Sequence, residues 1–247
     1  MKRKLITLVV LLLTATLLLQ ACSSIEDIAG QLTPNNNGSN QIGGNVAPNE
    51  DNADADQKDP AVSLGRFNGG KYTNNYVGYS CTLDENWEIF TAEELQELPD
   101  AVKDALAGSD LGDAVQDMPQ IADMMAQNVT DLLSINILYQ KLSLLDRARY
   151  AKMSEDAIAE EYLSQKELIA ESYQQAGITI LKMEKKQVTF LGEPRVAVLT
   201  SAQTQGMDYY TLQIFDFNLG SFGVVTTFGS YVENNTEDML SLFSPIN

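Results

Sequence analysis

Two thiols, Cys22 and Cys81, are the strongest nucleophiles of this chain, and neither has a histidine to activate it, because the 247 residues contain none. That absence removes Ser-His-Asp and Cys-His acyl chemistry and every zinc site that needs an imidazole. Carboxylates remain, 34 of them. A glycosidase needs two at a set separation, and among so many some pair always satisfies it, so their number carries no signal. Ser-Lys catalysis needs S-x-x-K spacing, which Ser154-Glu155-Asp156-Ala157 and Ser164-Gln165-Lys166 lack. Asp51, Asp54, Asp56 and Asp59 invite a calcium reading. Counting from Asp54, however, Asp59 and Gly65 fall where an EF-hand loop wants glycine and glutamate. They read as a solvated acidic run. The chain is therefore expected to be no enzyme and to hold no metal or cofactor, with a carboxylate-based hydrolase as the lesser alternative.

Position gives Cys22 its chemistry. Lys2, Arg3 and Lys4 precede an apolar run from Leu5 to Leu19, and the small Ala21 precedes the thiol. That order is a secretory signal. Fifteen helical residues rise about 22 Å, short of a hydrocarbon core of roughly 30 Å, so a cleaved leader is expected over a retained anchor. Leu19-Gln20-Ala21-Cys22 resembles the lipobox of bacterial lipoproteins, departing from it at Gln20, where that family carries a small residue. The resemblance implies that Cys22 accepts a diacylglyceryl group, becomes the new N-terminus and carries further acyl chains such as palmitate. Two or three chains suffice for stable attachment, at about 0.8 kcal/mol per buried methylene. Cys22 is the one residue to which the sequence assigns a chemical role.

The elements downstream divide into a tether and a domain. Residues 1–21 are the signal peptide, 22–66 a lipidated terminus and disordered acidic, Asn/Gly-rich tether, and 67–247 a single domain. From Thr33 the tether is Asn, Gly, Asp, Pro and Gln, a composition that cannot bury enough apolar surface to offset ordering entropy. As flexible coil it spans roughly 35 to 40 Å. Without residues 1–21 the chain keeps 13 of its 16 Lys+Arg against 34 Asp+Glu, a formal charge of −21. Nucleic-acid binding needs a basic footprint and is excluded. An acidic surface stands off an anionic bilayer, so attachment is expected from the lipid alone.

Within the domain, alternation predicts one or two strands over Lys71–Leu83, a further strand at Trp87–Phe90, and one over Leu133–Leu142. Thr91 with Glu94 forms a capping box, and Pro99 suits the first turn of another helical piece. Pro119 is expected to open a helix with Ile121, Met124, Met125, Val129 and Leu132 on one side. Ser154 caps the clearest helix, which Gly177 stops, with Ile158, Tyr162, Ile169 and Tyr173 on its apolar stripe. Four strands follow, 178–191, 193–201, 209–217 and 222–231, on turns too short for anything but antiparallel neighbours. A last short helix runs through Met239, Leu240, Leu242 and Phe243. The fold class is α+β, an antiparallel sheet of about six strands with helices on its faces.

That order of parts resembles the PsbP-like fold over residues 71 to 245. The resemblance rests on Tyr79-Ser80-Cys81-Thr82-Leu83 leading to Trp87, on Ser134-Ile135-Asn136-Ile137, and on the helix from Ser154 to Tyr162. Gly192-Glu193-Pro194 with Val196-Ala197-Val198-Leu199, Tyr209-Tyr210 and the C-terminal helix ending at Phe243 complete it. It implies a non-enzymatic accessory or binding module, and no functional motif of the family maps residue by residue. The expected function is a membrane-anchored extracytoplasmic lipoprotein that binds an envelope protein or complex, with a small-ligand-binding lipoprotein as the alternative. A two-lobed solute receptor does not fit a domain ending in a meander. Cys81 is expected to be buried, Trp87 to lie in the core, and Tyr72, Tyr76, Tyr79, Tyr209 and Tyr210 to pack rather than line a pocket. Ligand-binding residues are unknown from sequence.

Overall fold

The computed structural model describes residues 64–91, 93–95, 120–175 and 177–246. Cys22, the acidic run 51–59 and the helical piece expected at Pro99 lie outside the described residues. Four strands form a small antiparallel sheet in the order β1 (Arg66–Asn68), β2 (Lys71–Asn74), β3 (Tyr79–Thr82) and β11 (Phe243–Pro245). Seven form a large one: β4 (Trp87–Ile89), β5 (Gln120–Asn128), β6 (Leu133–Lys141), β10 (Phe222–Tyr231), β9 (Met207–Asp216), β8 (Glu193–Thr204) and β7 (Ile178–Phe190). Every neighbouring pair of the large sheet runs antiparallel. Mixed α and β structure with antiparallel sheets is thus as expected. The large sheet has seven strands, not six, and a second sheet stands beside it.

The two faces of the large sheet bury different partners. On one face lie α1 (Leu144–Tyr150), α2 (Glu155–Ser164) and α3 (Lys166–Gln175), with Ile158, Tyr162, Ile169 and Tyr173 packed on Val198, Phe215 and Val225. On the other lies the small sheet with a 3-10 turn, Asp238–Leu242, around a core of Tyr79, Phe190, Phe228 and Phe243. Helices were expected on both faces; α1, α2 and α3 share one face, and the short 3-10 turn lies on the other. No helix among the described residues is long and apolar enough to cross a membrane.

Three expectations need correction. Residues 120–128 form a strand, not a helix. A β-bulge between Ala122 and Met124 inserts one residue and shifts the phase, and Met124 and Met125 are buried on opposite faces. Burial on both faces removes the period-two signal, leaving a spacing that imitates a helix. The helix from Ser154 to Gly177 is two, broken at Gln165, where the Ser164 hydroxyl donates back to Glu161 O (2.6 Å), a bond that bends helices. The C-terminal helix is a 3-10 turn that delivers Phe243 to β11.

Local signals elsewhere act as read. The Thr91 N–H and hydroxyl both donate to Glu94 Oε2, and Thr91 Oγ1 accepts from Glu94 N (3.3 Å). Ser154 Oγ accepts from Ala157 N (3.2 Å). Gly177 takes φ +79°, the left-handed turn that ends α3. The β7–β8 and β8–β9 turns each place two residues at positive φ, Leu191–Gly192 and Gln205–Gly206, as tight hairpins require. Pro194 is tolerated inside β8 because β9 pairs with that strand only from Ala197 onward.

Candidate functional site

Cys81 lies on β3 between Tyr72 of β2 and Phe243 of β11 and is fully buried. Burial pushes its thiol up to about 12, so it stays protonated and inert at neutral pH. The five tyrosines do not line one cavity. Tyr72 and Tyr79 are buried between the sheets, and Tyr209 is buried on the helix side with its ring 4.5 Å from that of Tyr231. Tyr210, next in β9, turns to the opposite face. Trp87 is half-buried at the edge of the inter-sheet core. Among the described residues no three Cys, Asp or Glu side chains gather to hold a metal ion.

The bulge in β5 exists to aim Asp123. Asp123 Oδ1 accepts from Gly65 N (2.7 Å), and Oδ2 accepts from the Tyr72 hydroxyl (2.5 Å) and the Asn74 amide (2.5 Å). The same amide donates to the Tyr139 hydroxyl (2.6 Å), while Asn74 Oδ1 accepts from Tyr76 N (2.8 Å). Among the described residues no cation pairs with this carboxylate. Burial raises its pKa above the ordinary 3.8, against the opposing pull of the Tyr72, Gly65 and Asn74 donors. The Tyr72 hydroxyl is raised too, by burial first and then by Asp123. Both oxygens of this carboxyl group are engaged by the surrounding donors, and both neighbouring tyrosine hydroxyls are held neutral. The carboxyl group clasps the two sheets and the point where the chain enters the domain. Gly65 is required there, since a Cβ would run into the Tyr72 ring.

A different chemistry occupies one end of the large sheet. The β5–β6 turn, the β8–β9 turn and the chain leaving β10 converge there. Tyr231 N donates to Leu132 O (3.1 Å), and Val232 N donates to Asp208 O (2.9 Å). A shallow, open pocket of about 140 Å³ lies between them, lined by Gln127, Asn128, Val129, Leu132, Leu133, Met207 and Tyr231. Val129, Leu132, Met207 and Val232 are all exposed. Leu132 and Val232 also sit at positive φ, +58° and +72°. For a β-branched residue that is a genuine outlier, of order 1–3 kcal/mol. Asp131 and Glu233 are exposed around this patch, Asp208 half-exposed, and residues 127–134, 203–210 and 229–236 contain no lysine or arginine.

No protein-family model matches this chain, and no curated protein matches it either.

One more polar feature lies under the helix layer. Asn136, Thr227 and Gln213 stand directly opposite one another across β6, β10 and β9, all essentially inaccessible. The Tyr162 hydroxyl bears on Gln213. Among the described residues neither amide atom of Asn136 nor the Thr227 hydroxyl has a hydrogen-bond partner. Alternation over Leu133–Leu142 marks the strand but not the row that crosses it. The members of that row sit on three strands that each carry amide or hydroxyl side chains near mid-length, but only the register brings Asn136, Thr227 and Gln213 into one row.

Proposed function

We propose that this chain is a non-catalytic binding module, of PsbP-like layout, held at the extracytoplasmic face of a cell membrane by acyl chains on Cys22. The antiparallel sheet with α2 and α3 on one face is in keeping with that layout. The observation that carries the binding role is the strained apolar end of the large sheet. Folding alone gives no reason to hold a valine in left-handed backbone and 55% exposed. Strain of this kind collects at functional sites. With an apolar pocket inside a rim of carboxylates, the occupant is an envelope protein that presents an aliphatic side chain flanked by lysine or arginine.

A photo-crosslinker at position 232 should join the chain to one envelope protein through a basic peptide, and Met207→Asp should abolish the adduct. A crosslinker at exposed Leu181, on the edge strand β7, should give none; equal adducts from both positions would defeat this reading. Val232→Gly removes the backbone strain and should stabilise the domain by about 1 kcal/mol in denaturant titration while weakening that adduct. Mass spectrometry of the mature N-terminus tests the anchor separately: a diacylglyceryl Cys22 is expected, and an unmodified terminus would sink it.

Unpaired Asn136 favours a second reading, a small neutral ligand with its own donors and acceptors seated on the polar row. Asn136→Leu should then stabilise the free domain by about 1 kcal/mol and abolish any thermal shift given by a panel of neutral amides and polyols. A shift that survives the substitution would place the ligand elsewhere.

A further inference from the structure

We infer that the end of the domain carrying α1 rests on an anionic phospholipid bilayer, with Leu144 and Leu145 in the interface and the neighbouring cations among the headgroups. The inference rests on the membrane attachment proposed above and adds an orientation to it. Residues 141–152 hold four cations, Lys141, Arg147, Arg149 and Lys152, against one carboxylate, Asp146, in a chain of net charge −18. Leu144 and Leu145 open α1 and are 75% and 72% exposed, more than any other exposed large apolar side chain among the described residues. The core takes nothing from them. α1 is fastened instead by Tyr150, whose ring lies 4.7 Å from that of Phe217. Arg149, paired with Glu161 at 2.9 Å, lies over the Tyr150 ring. Exposed leucines beside lysine and arginine are the composition by which interfacial segments enter the headgroup region.

Strand registers put the chain's entry at the same end. Arg66 opposes Thr73 and Asn68 opposes Lys71, so the residues before Arg66 arrive at the Asn74 end of β2. Asn74 bonds Tyr139, near the exit of β6 into α1. The Tyr76 hydroxyl donates to Leu219 O (2.8 Å) in the β9–β10 turn, and Leu142 N donates to Ser221 O (2.9 Å) in that same turn. Exposed Leu64 and Arg66, the first described residues of the domain, therefore share the end that holds α1. The acidic apolar end around Val232 lies at the opposite end of β6 and β10 and faces away from the lipid. Acidity elsewhere keeps the other surfaces off an anionic bilayer, so this local reversal of charge selects one orientation.

Hydrogen exchange on the full chain tests this in vesicles of phosphatidylcholine alone or of phosphatidylcholine with phosphatidylglycerol. The N-terminal segment holds the chain on both, whether by acyl chains or by its apolar leader, so retention and docking are read separately. Amides of residues 142–152 should exchange more slowly on the anionic vesicles, and high salt should erase the difference. One cation near an anionic surface is worth about fivefold in such an equilibrium, so Lys152→Glu should weaken docking on the order of twentyfold. Leu144→Ser with Leu145→Ser should abolish the protection and leave exchange in β6 and β10 unchanged, which reports an intact fold. Equal exchange on both vesicles, or protection that outlasts high salt or the double substitution, overturns the orientation and leaves attachment standing. A chain retained on neither vesicle overturns both.

Discussion

Asp123→Ala should destabilise the domain by about 3 kcal/mol, a large share of the 5–15 kcal/mol that holds a typical domain together. The substitution leaves the Gly65 N–H, the Tyr72 hydroxyl and the Asn74 amide without their shared acceptor. Tyr72 and Asn74 are buried, so water does not replace it without opening the junction between the sheets. A buried donor left unmade costs about 1–3 kcal/mol, while the hydroxyl of Tyr72 can still turn to a neighbour. Denaturant titration reads the loss, and hydrogen exchange should locate it in β1 and β2. An effect below 1 kcal/mol would mean that the clasp is ornamental.

The same carboxylate gives the fold a pH dependence with a definite sign. Burial raises the pKa of Asp123 in the folded state above its unfolded value. Its contribution to stability is therefore fully present below the ordinary carboxyl value and is lost as pH rises through the raised one. Asp123→Asn does not titrate. The stability of the natural chain minus that of this variant should fall as pH rises from the carboxyl range toward neutrality; a difference that rises over that interval would reverse the assignment.

Particular residues explain how far the sequence could be read. The meander from Ile178 to Tyr231 was legible because its strands are joined by turns whose chemistry is local. Ser154 was legible as a cap because an N-cap needs only its own next turn. Residues 120–128 were illegible because their strand is defined by β6 beside them and the small sheet below, and because the bulge that aims Asp123 breaks the alternation. The clasp itself joins positions 65, 72, 74, 123 and 139, a proximity that no spacing along the chain encodes. α1 did leave a mark, Ser143 three residues before Asp146, and Ser143 Oγ accepts from Asp146 N (3.1 Å). The apolar end was invisible for another reason: Leu132 and Val232 look like core residues until the backbone turns them outward.

Arg195→Met should cost about 3 kcal/mol, the low end of the loss expected when one partner of a buried ion pair is removed, because this pair is part-buried. Arg195 Nε donates to Glu155 Oε1 (2.5 Å), and its Nη2 donates to Asp216 Oδ1 (2.6 Å). Glu155 Oε2 also accepts from Val196 N (2.9 Å). Glu155 opens α2, Arg195 and Val196 belong to β8, and Asp216 ends β9, so one guanidinium ties the helix layer to two strands of the sheet. Arg195 and Asp216 are 15% and 18% exposed in the side chain. Methionine matches much of the volume but leaves Asp216 as a shielded charge with no counter-ion, which is the larger part of the loss. Adding Asp216→Asn to Arg195→Met should therefore recover more than half of it in thermal or denaturant unfolding. A double variant no more stable than the single one would show that the packing of the arginine stem, rather than its charge, joins these layers.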